Sequence, residues 1–197
     1  MALILASQSA ARRALLAAAG VPHEALSPGV DEDGAKAALR ADGVDARGLA
    51  DALAELKAVR LSLRRPGDLV LGCDQVLAFG EAAFDKPESR AEAADQLRAL
   101  RGQSHRLISA AVICEGGRPV WRQIETATLA VRAFSEDFLD RYLDAEWPAI
   151  GSCVGGYRFE GLGAQLFAKV TGSHFAILGL PLLPLLDYLR VRGVLPS

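Results

Sequence analysis

The sequence predicts an α/β fold, a mixed and largely twisted sheet flanked by helices, and three observations carry that expectation. The first twenty residues read as strand, polar turn and helix. Leu3-Ile4-Leu5 is a short apolar run, Ser7-Gln8-Ser9 breaks it, and an alanine- and leucine-rich stretch continues to Gly20. Strand-like and helix-like segments then alternate to the C-terminus, the pattern that packs helices on a sheet. Two apolar runs joined by Glu115-Gly116-Gly117-Arg118 read as an antiparallel hairpin, which makes the sheet mixed. No repeat, low-complexity tract or linker interrupts residues 1–197, which read as a single domain.

Ser9 is a plausible N-cap for the first helix, and Gly20 its stop. Val30 to Gly48 holds four Asp, one Glu and three Gly, and reads as a surface loop or a loosely packed helix. From Leu49 the apolar positions Leu53, Leu56, Val59 and Leu63 follow at steps of three and four, a helix that Arg64-Arg65-Pro66-Gly67 ends. Leu69 to Cys73 is a buried strand, and Gln75 to Phe79 continues it or begins a hairpin around Gly80-Glu81. Ser89-Arg90-Ala91-Glu92 is a capping box that opens a helix running to Gly102. The hairpin strands are expected at Arg106–Cys114 and Val120–Val131. A helix opens at Ser135-Glu136-Asp137 and closes at Trp147-Pro148. Gly151 to Gly163, with five glycines in thirteen residues, cannot be regular throughout. A last strand is expected around Phe175–Leu178, and a last helix from Pro181 to Gly193.

Composition excludes several function classes. Hydrophobic residues make up 51% and charged residues 23% of 197 residues, enough to bury a sizeable core and too apolar for disorder. Lys plus Arg is 22 and Asp plus Glu is 24, a net charge of −2, against the basic excess of a generic nucleic-acid surface. Cys73, Cys114 and Cys153 form no C-x-x-C pair, so neither a disulfide framework nor a zinc ribbon is indicated. The longest strongly apolar stretch, Phe175 to Leu186, is broken by Pro181 and Pro184 and falls short of the roughly 20 residues of a membrane span. Arg12-Arg13 before an apolar stretch is superficially like a twin-arginine export signal. An apolar strand precedes the arginines, however, and no small-residue cleavage site follows Val21, so a cytoplasmic location is expected.

Four constellations carry chemistry. Ser7-x-Ser9-x-x-Arg12-Arg13 puts two serines, the free N–H groups of a helix start and two arginines together, a polyphosphate cradle. The same spacing also suits two solvent-facing arginines, although cations in a first turn oppose the helix dipole. In Gly72-Cys73-Asp74-Gln75 the acid follows a buried strand, where ligands bind in open α/β sheets; it would hold a metal, accept a proton from water or cap a turn. Lys57 lies between Leu53 and Leu61 on an apolar row, either snorkelling or functional, and Lys86-Pro87 stands just before a capping box. Gly155 to Gly163 offers glycines for close approach, Tyr157 and Phe159 for stacking on a base, and Glu160 as an acceptor toward a purine edge. There is no Walker motif and no H-E-x-x-H. His23, His105 and His174 lack metal-ligand spacing and read as structural or exposed.

In order, these pieces resemble the Maf family of nucleoside triphosphate pyrophosphatases. The resemblance runs through Leu3-Ile-Leu-Ala-Ser-Gln-Ser-x-x-Arg-Arg13, Pro28-Gly-Val-Asp-Glu32, Leu53-Ala-Glu-Leu-Lys57-Ala and Gly72-Cys-Asp-Gln-Val76. It continues through Asp85-Lys-Pro87 and Glu160-Gly-Leu-Gly163 to Gly172-Ser-His and Gly179-Leu-Pro181, covering nearly the whole chain.

The resemblance implies a Maf/ITPase-like fold with two lobes around a central cleft, and a divalent cation, Mg or Mn. It implies hydrolysis of a nucleoside triphosphate between its α and β phosphates to the monophosphate and pyrophosphate, a housekeeping removal of modified or non-canonical nucleotides. Asp74 matches the acid that accepts a proton from the attacking water, and Lys57 and Lys86 the two catalytic-site lysines. Ser7, Ser9, Arg12 and Arg13 match the phosphate-binding element, and Glu32, with Asp74, the acids near the metal. Gln75 and Glu160 resemble the branch acting on 7-methyl-GTP. Ala10 replaces a usual proline, Ala11 a bulky aromatic of that branch, and Asp85 a usual glycine. A homodimer is a family expectation; nucleic acid and membrane are not expected partners. The other function the family name suggests is a nucleotide-binding regulator of cell division that acts through protein–protein contacts.

Overall fold

A computed structural model describes residues 2–196. In chain order its elements are β1 (Leu3–Ala6), α1 (Ala10–Ala18), β2 (Glu24–Ala25), α2 (Glu32–Ala41), α3 (Ala46–Ser62), β3 (Leu69–Phe79), β4 (Ala82–Phe84), α4 (Arg90–Leu100), β5 (Ser104–Glu115), β6 (Arg118–Val131), α5 (Glu136–Glu146), β7 (Phe167–Thr171), α6 (His174–Ile177) and α7 (Leu182–Val191). Single 3-10 turns lie at Ala149–Ser152 and Leu162–Leu166. The strands order as β2-β1-β3-β5-β6-β7, with β4 paired to β3. β1 pairs in parallel with β2 and β3, whereas β3–β4 and β6–β7 are antiparallel, so the sheet is mixed, as the sequence predicts. Packing divides the chain into two compact units: Met1–Gln75 with Ile108–Glu125 and Ser173–Ser197, and Val76–Leu107 with Thr126–Gly172.

In the first unit the alternation of strand side chains sets two apolar layers. Leu3 and Leu5 of β1 and Leu69, Leu71 and Cys73 of β3 face one way. They bury against Leu16 of α1, Ala111 and Ile113 of β5, and Leu182, Leu185 and Leu189 of α7. Ile4, Ala6 and Val70 face the other way, against Leu61 of α3. The β5–β6 hairpin turns on Gly116 and Gly117 at φ 56° and 79°, a left-handed pair that only glycine adopts without strain.

Helix starts follow the expected caps: the Ser9, Ser89 and Ser135 side chains accept from Arg12, Glu92 and Phe138 N–H. Val30–Gly48 is not a loop throughout. Asp31 caps α2 by accepting from Gly34 N–H, and the helix buries no residue, consistent with its polar composition. α3 forms where predicted and buries Leu49 and Leu53 of the expected face, but the rest of the buried face is shifted. Leu56 and Leu63 are exposed, while Ala50, Ala54 and Ala58 lie inside with Leu49, Leu53 and Leu61. The expected strand at Phe175–Leu178 is a single helical turn, α6, and the last strand is β7. A short apolar run does not distinguish strand from buried helix; here Gly179 at φ 90° closes a turn instead. Among the described residues no helix is long and apolar enough to cross a membrane.

The second unit anchors its glycine-rich segment with side chains. Arg158 donates from Nε and Nη2 to Oε2 of buried Glu146, at 2.9 and 2.6 Å. Tyr142 Oη donates to the Gly156 carbonyl, and the Tyr157 hydroxyl lies 2.6 Å from His105 Nε2. Tyr157 is buried, its ring edge-on to Phe167 at 4.9 Å, so it is a core side chain and not a platform for a base. Burial pushes the His105 imidazole down to about 4 from an ordinary 6.5. The unfolded chain therefore binds a proton at His105 that the folded chain refuses between those values, and stability falls as pH drops through that window. Urea unfolding should show a loss of about 3 kcal/mol between pH 7 and pH 4 from this group. His105→Phe should remove that component; an unchanged pH slope would contradict it.

Candidate active site

β3 builds the site by alternation. Val70, Gly72 and Asp74 share the face turned toward α3, and Cys73 and Gln75 the opposite face. A Cβ on Gly72 would overlap the Ala54 carbonyl oxygen of α3 and come within 2.7 Å of Ala58 N, so the strand lies directly against the helix backbone. That contact carries Lys57, next to Ala58, over Asp74. This acid does not follow the strand, as the sequence suggests, but lies in its middle, because Gln75 to Phe79 continue β3. Its ammonium lies 2.7 Å from Asp74 Oδ1 and 2.8 Å from Glu32 Oε2 in the first turn of α2. The Lys57 side chain is 7% exposed, Asp74 10% and Glu32 37%. A buried ammonium loses its hydration, and two carboxylates replace it. Lys57 is thus not snorkelling. Asp74 Oδ2 makes no hydrogen bond among the described residues.

The β1–α1 turn separates the two arginines. Arg12 is buried: Nε donates to the Gly179 carbonyl at 2.8 Å, and Nη1 to the Cys73 carbonyl at 3.0 Å and Ser7 Oγ at 3.3 Å. Its guanidinium thus ties the residue before Asp74 to the turn after α6, while Nη2 makes no hydrogen bond among the described residues. Ser7 Oγ also accepts Ser9 N–H, and Ser9 caps α1. Arg13 is exposed. Burial is the largest influence on the neighbouring Cys73 thiol and pushes it up to about 11, so it stays protonated.

On the other face of β3, Gln75 Nε2 donates to Ser109 Oγ at 2.9 Å and to the Ala176 and Ile177 carbonyls at 2.9 and 3.0 Å. Arg12 and Gln75 together fix the 176–179 backbone. Ser109 and Gly179 were not singled out as site residues from the sequence. The signal for Ser109 was a lone hydroxyl within the apolar run Leu107-Ile108-Ser109-Ala110-Ala111. The first unit therefore gathers Lys57, Asp74 and Glu32, with Ser7, Arg12 and Gln75 on the adjoining backbone. Ser9 lies at the cap and Arg13 on the exposed side of α1. Lys86 and Glu160 belong to the second unit and are exposed. Both charges reach the partly buried Cys153 thiol, which burial raises most, Glu160 raises and Lys86 lowers.

The donor set suits a hard divalent cation that takes most of its ligands from water and substrate oxygens. Among the described residues no group of three or more His, Cys, Asp or Glu is placed to hold a metal. Mg²⁺ is commonly bound by one or two carboxylates plus substrate phosphates and water rather than by an all-protein cage. Glu32 and Asp74, both within 3 Å of one ammonium, fit that arrangement.

The family model for Maf-like protein matches residues 2–192. The chain belongs to this family. It is 52% identical over 197 residues to a Hyphomonas neptunium protein, with 100% of this chain and 99% of that protein covered. It is 53% identical over 191 residues to one from Caulobacter vibrioides, covering 97% and 96%. It is 49% identical over 195 residues to one from Rhodospirillum rubrum, covering 99% and 96%. All three relatives are named nucleoside triphosphate pyrophosphatase.

In this Maf-like chain, the closeness of α3 to β3 is what a substitution tests first. Gly72→Ala should force the helix off the strand, lowering stability by about 3 kcal/mol and displacing Lys57 from Asp74. Urea unfolding and turnover measured together check this; wild-type values for both would refute the packing argument. Lys57→Met should cost about 3 kcal/mol near pH 7, because it leaves buried Asp74 facing Glu32 without the ammonium. A melting temperature at or above that of the wild type would contradict this.

Proposed function

We propose that this chain hydrolyses nucleoside triphosphates at the α–β anhydride, releasing a nucleoside monophosphate and pyrophosphate. One observation carries the reading: a buried lysine pinned between two carboxylates, one of them in the middle of a sheet strand, in a chain about half identical to proteins named for that activity. Lys57 holds Asp74 Oδ1, which leaves Oδ2 to accept the proton of the attacking water. The water oxygen joins phosphorus, the bond to the bridging oxygen breaks, and pyrophosphate leaves. Glu32 and the second lone pair of Asp74 Oδ1 would hold a Mg or Mn ion, which when bound neutralises phosphate charge and leaves Oδ2 to the water.

Exposed Arg13 and the first turn of α1 are the groups suited to the polyphosphate. Arg12 acts mainly by holding the Cys73 carbonyl, hence the backbone that carries Asp74. Gln75 reads the base, which its resemblance to the 7-methyl-GTP branch makes a modified purine. Three free thiols fit a reducing cytoplasm.

The test is pyrophosphate release with Mg from a panel of canonical and methylated nucleoside triphosphates. Asp74→Asn should lower kcat by about a hundredfold or more with nucleotide binding retained. Turnover of that variant at the wild-type rate would remove Asp74 from the chemistry. Nucleotide binding by the wild type with no pyrophosphate release would favour a nucleotide-responsive regulator instead.

A further inference from the structure

Gln75 has a fixed polarity. Its Nε2 has two hydrogens and three acceptors within 3.0 Å, namely Ser109 Oγ and the Ala176 and Ile177 carbonyls. Ser109 is fully buried, and its one hydroxyl hydrogen goes to the Ala176 carbonyl at 2.7 Å. The Ser109 oxygen therefore faces Gln75 as an acceptor only. Turning the carboxamide over would set Oε1 against two carbonyl oxygens, neither of which can donate. Oε1 makes no hydrogen bond among the described residues, and Gln75 is only partly buried. A glutamine on a mobile side chain reads donors and acceptors alike; this one offers only an acceptor.

We propose that Ser109 is a positioning residue that locks the Gln75 carboxamide, so that Gln75 selects nucleotides whose base presents an N–H donor to Oε1. The proposal rests on the reading of Gln75 as a base contact and adds the direction of the hydrogen bond and the residue that sets it. Ser109 itself touches no substrate. It acts from β5 through one hydrogen bond, and the α6 turn supplies the other two acceptors. Because an acceptor-only group gains nothing from a base that lacks the donor, discrimination falls on binding, and so on KM.

The experiment measures steady-state pyrophosphate release by the full chain from three pairs of nucleotides that differ by one N–H donor. These are GTP with ITP, ATP with purine riboside triphosphate, and UTP with 3-methyluridine triphosphate. The wild type should favour the donor-bearing member of at least one pair by about tenfold or more in kcat/KM. Gln75→Met keeps the length of the side chain, offers no acceptor, and should bring that ratio close to one. Ser109→Ala should lower the ratio about threefold through KM rather than kcat, because the carboxamide loses one of its three acceptors and the Ala176 carbonyl loses the hydroxyl that holds it, so Oε1 is aimed less sharply. Thermal unfolding of each variant separates this from general destabilisation, which would lower turnover of both members equally. Absence of any donor preference in the wild type overturns the inference. So does an unaltered ratio in Ser109→Ala when Gln75→Met has lost it, which leaves Gln75 as a base contact not held by Ser109. An unaltered ratio in both variants removes Gln75 from base recognition as well, while pyrophosphate release would still support the activity itself.

Discussion

An ammonium buried between two carboxylates is the interaction on which the site depends. Lys57 meets Asp74 only because α3 approaches β3 to backbone contact, and α3 does so only because position 72 has no side chain and Ala54 and Ala58 have small ones. Charge and packing are thus one constraint. The small residues bring the lysine within reach, and the ion pair repays the loss of hydration that burial entails. Glu32 joins from α2, so that helix takes part in the ion pair despite burying no residue.

A second constraint works on the opposite face of the same strand. Arg12 and Gln75 come from different elements, yet both donate to carbonyls of the turn around α6. That turn includes Gly179, where a side chain would crowd the Arg12 guanidinium, with Nε 3.1 Å from its Cβ. The 176–179 backbone therefore has a physical purpose: its Ala176, Ile177 and Gly179 carbonyls hold the glutamine and the arginine still. A cation in the first turn of α1, unfavourable to the helix dipole, is tolerated because its side chain leaves the helix for those carbonyls.

In the second unit the glycine-rich segment is held rather than loose. Glu146, Tyr142 and His105 each grip it through a different partner, and Tyr157 and Phe167 close an aromatic cluster over it. Glycines permit the turns, while Arg158 and Tyr157 supply the anchors. Exposed Glu160 thereby follows a backbone that is fixed at Gly156 to Arg158.

The sequence by itself determined the α/β class, the mixed sheet, the serine caps and most element positions, because caps, turns and hydrophobic periods act over a few residues. It marked Asp74 and Lys57 as candidates through residue type and spacing, and Glu32 and Gln75 through the resemblance to the Maf family. Tertiary structure decided which face of α3 is buried, that Phe175–Leu178 forms a helical turn, and that Arg12 and Arg13, adjacent in sequence, have opposite environments. It alone showed that Lys57 is shared by two acids and that Ser109 and two carbonyls fix the polarity of Gln75. These outcomes depend on the close approach of segments that lie 17 to 167 residues apart, and local patterns carry no record of which backbone atoms will meet across such a distance.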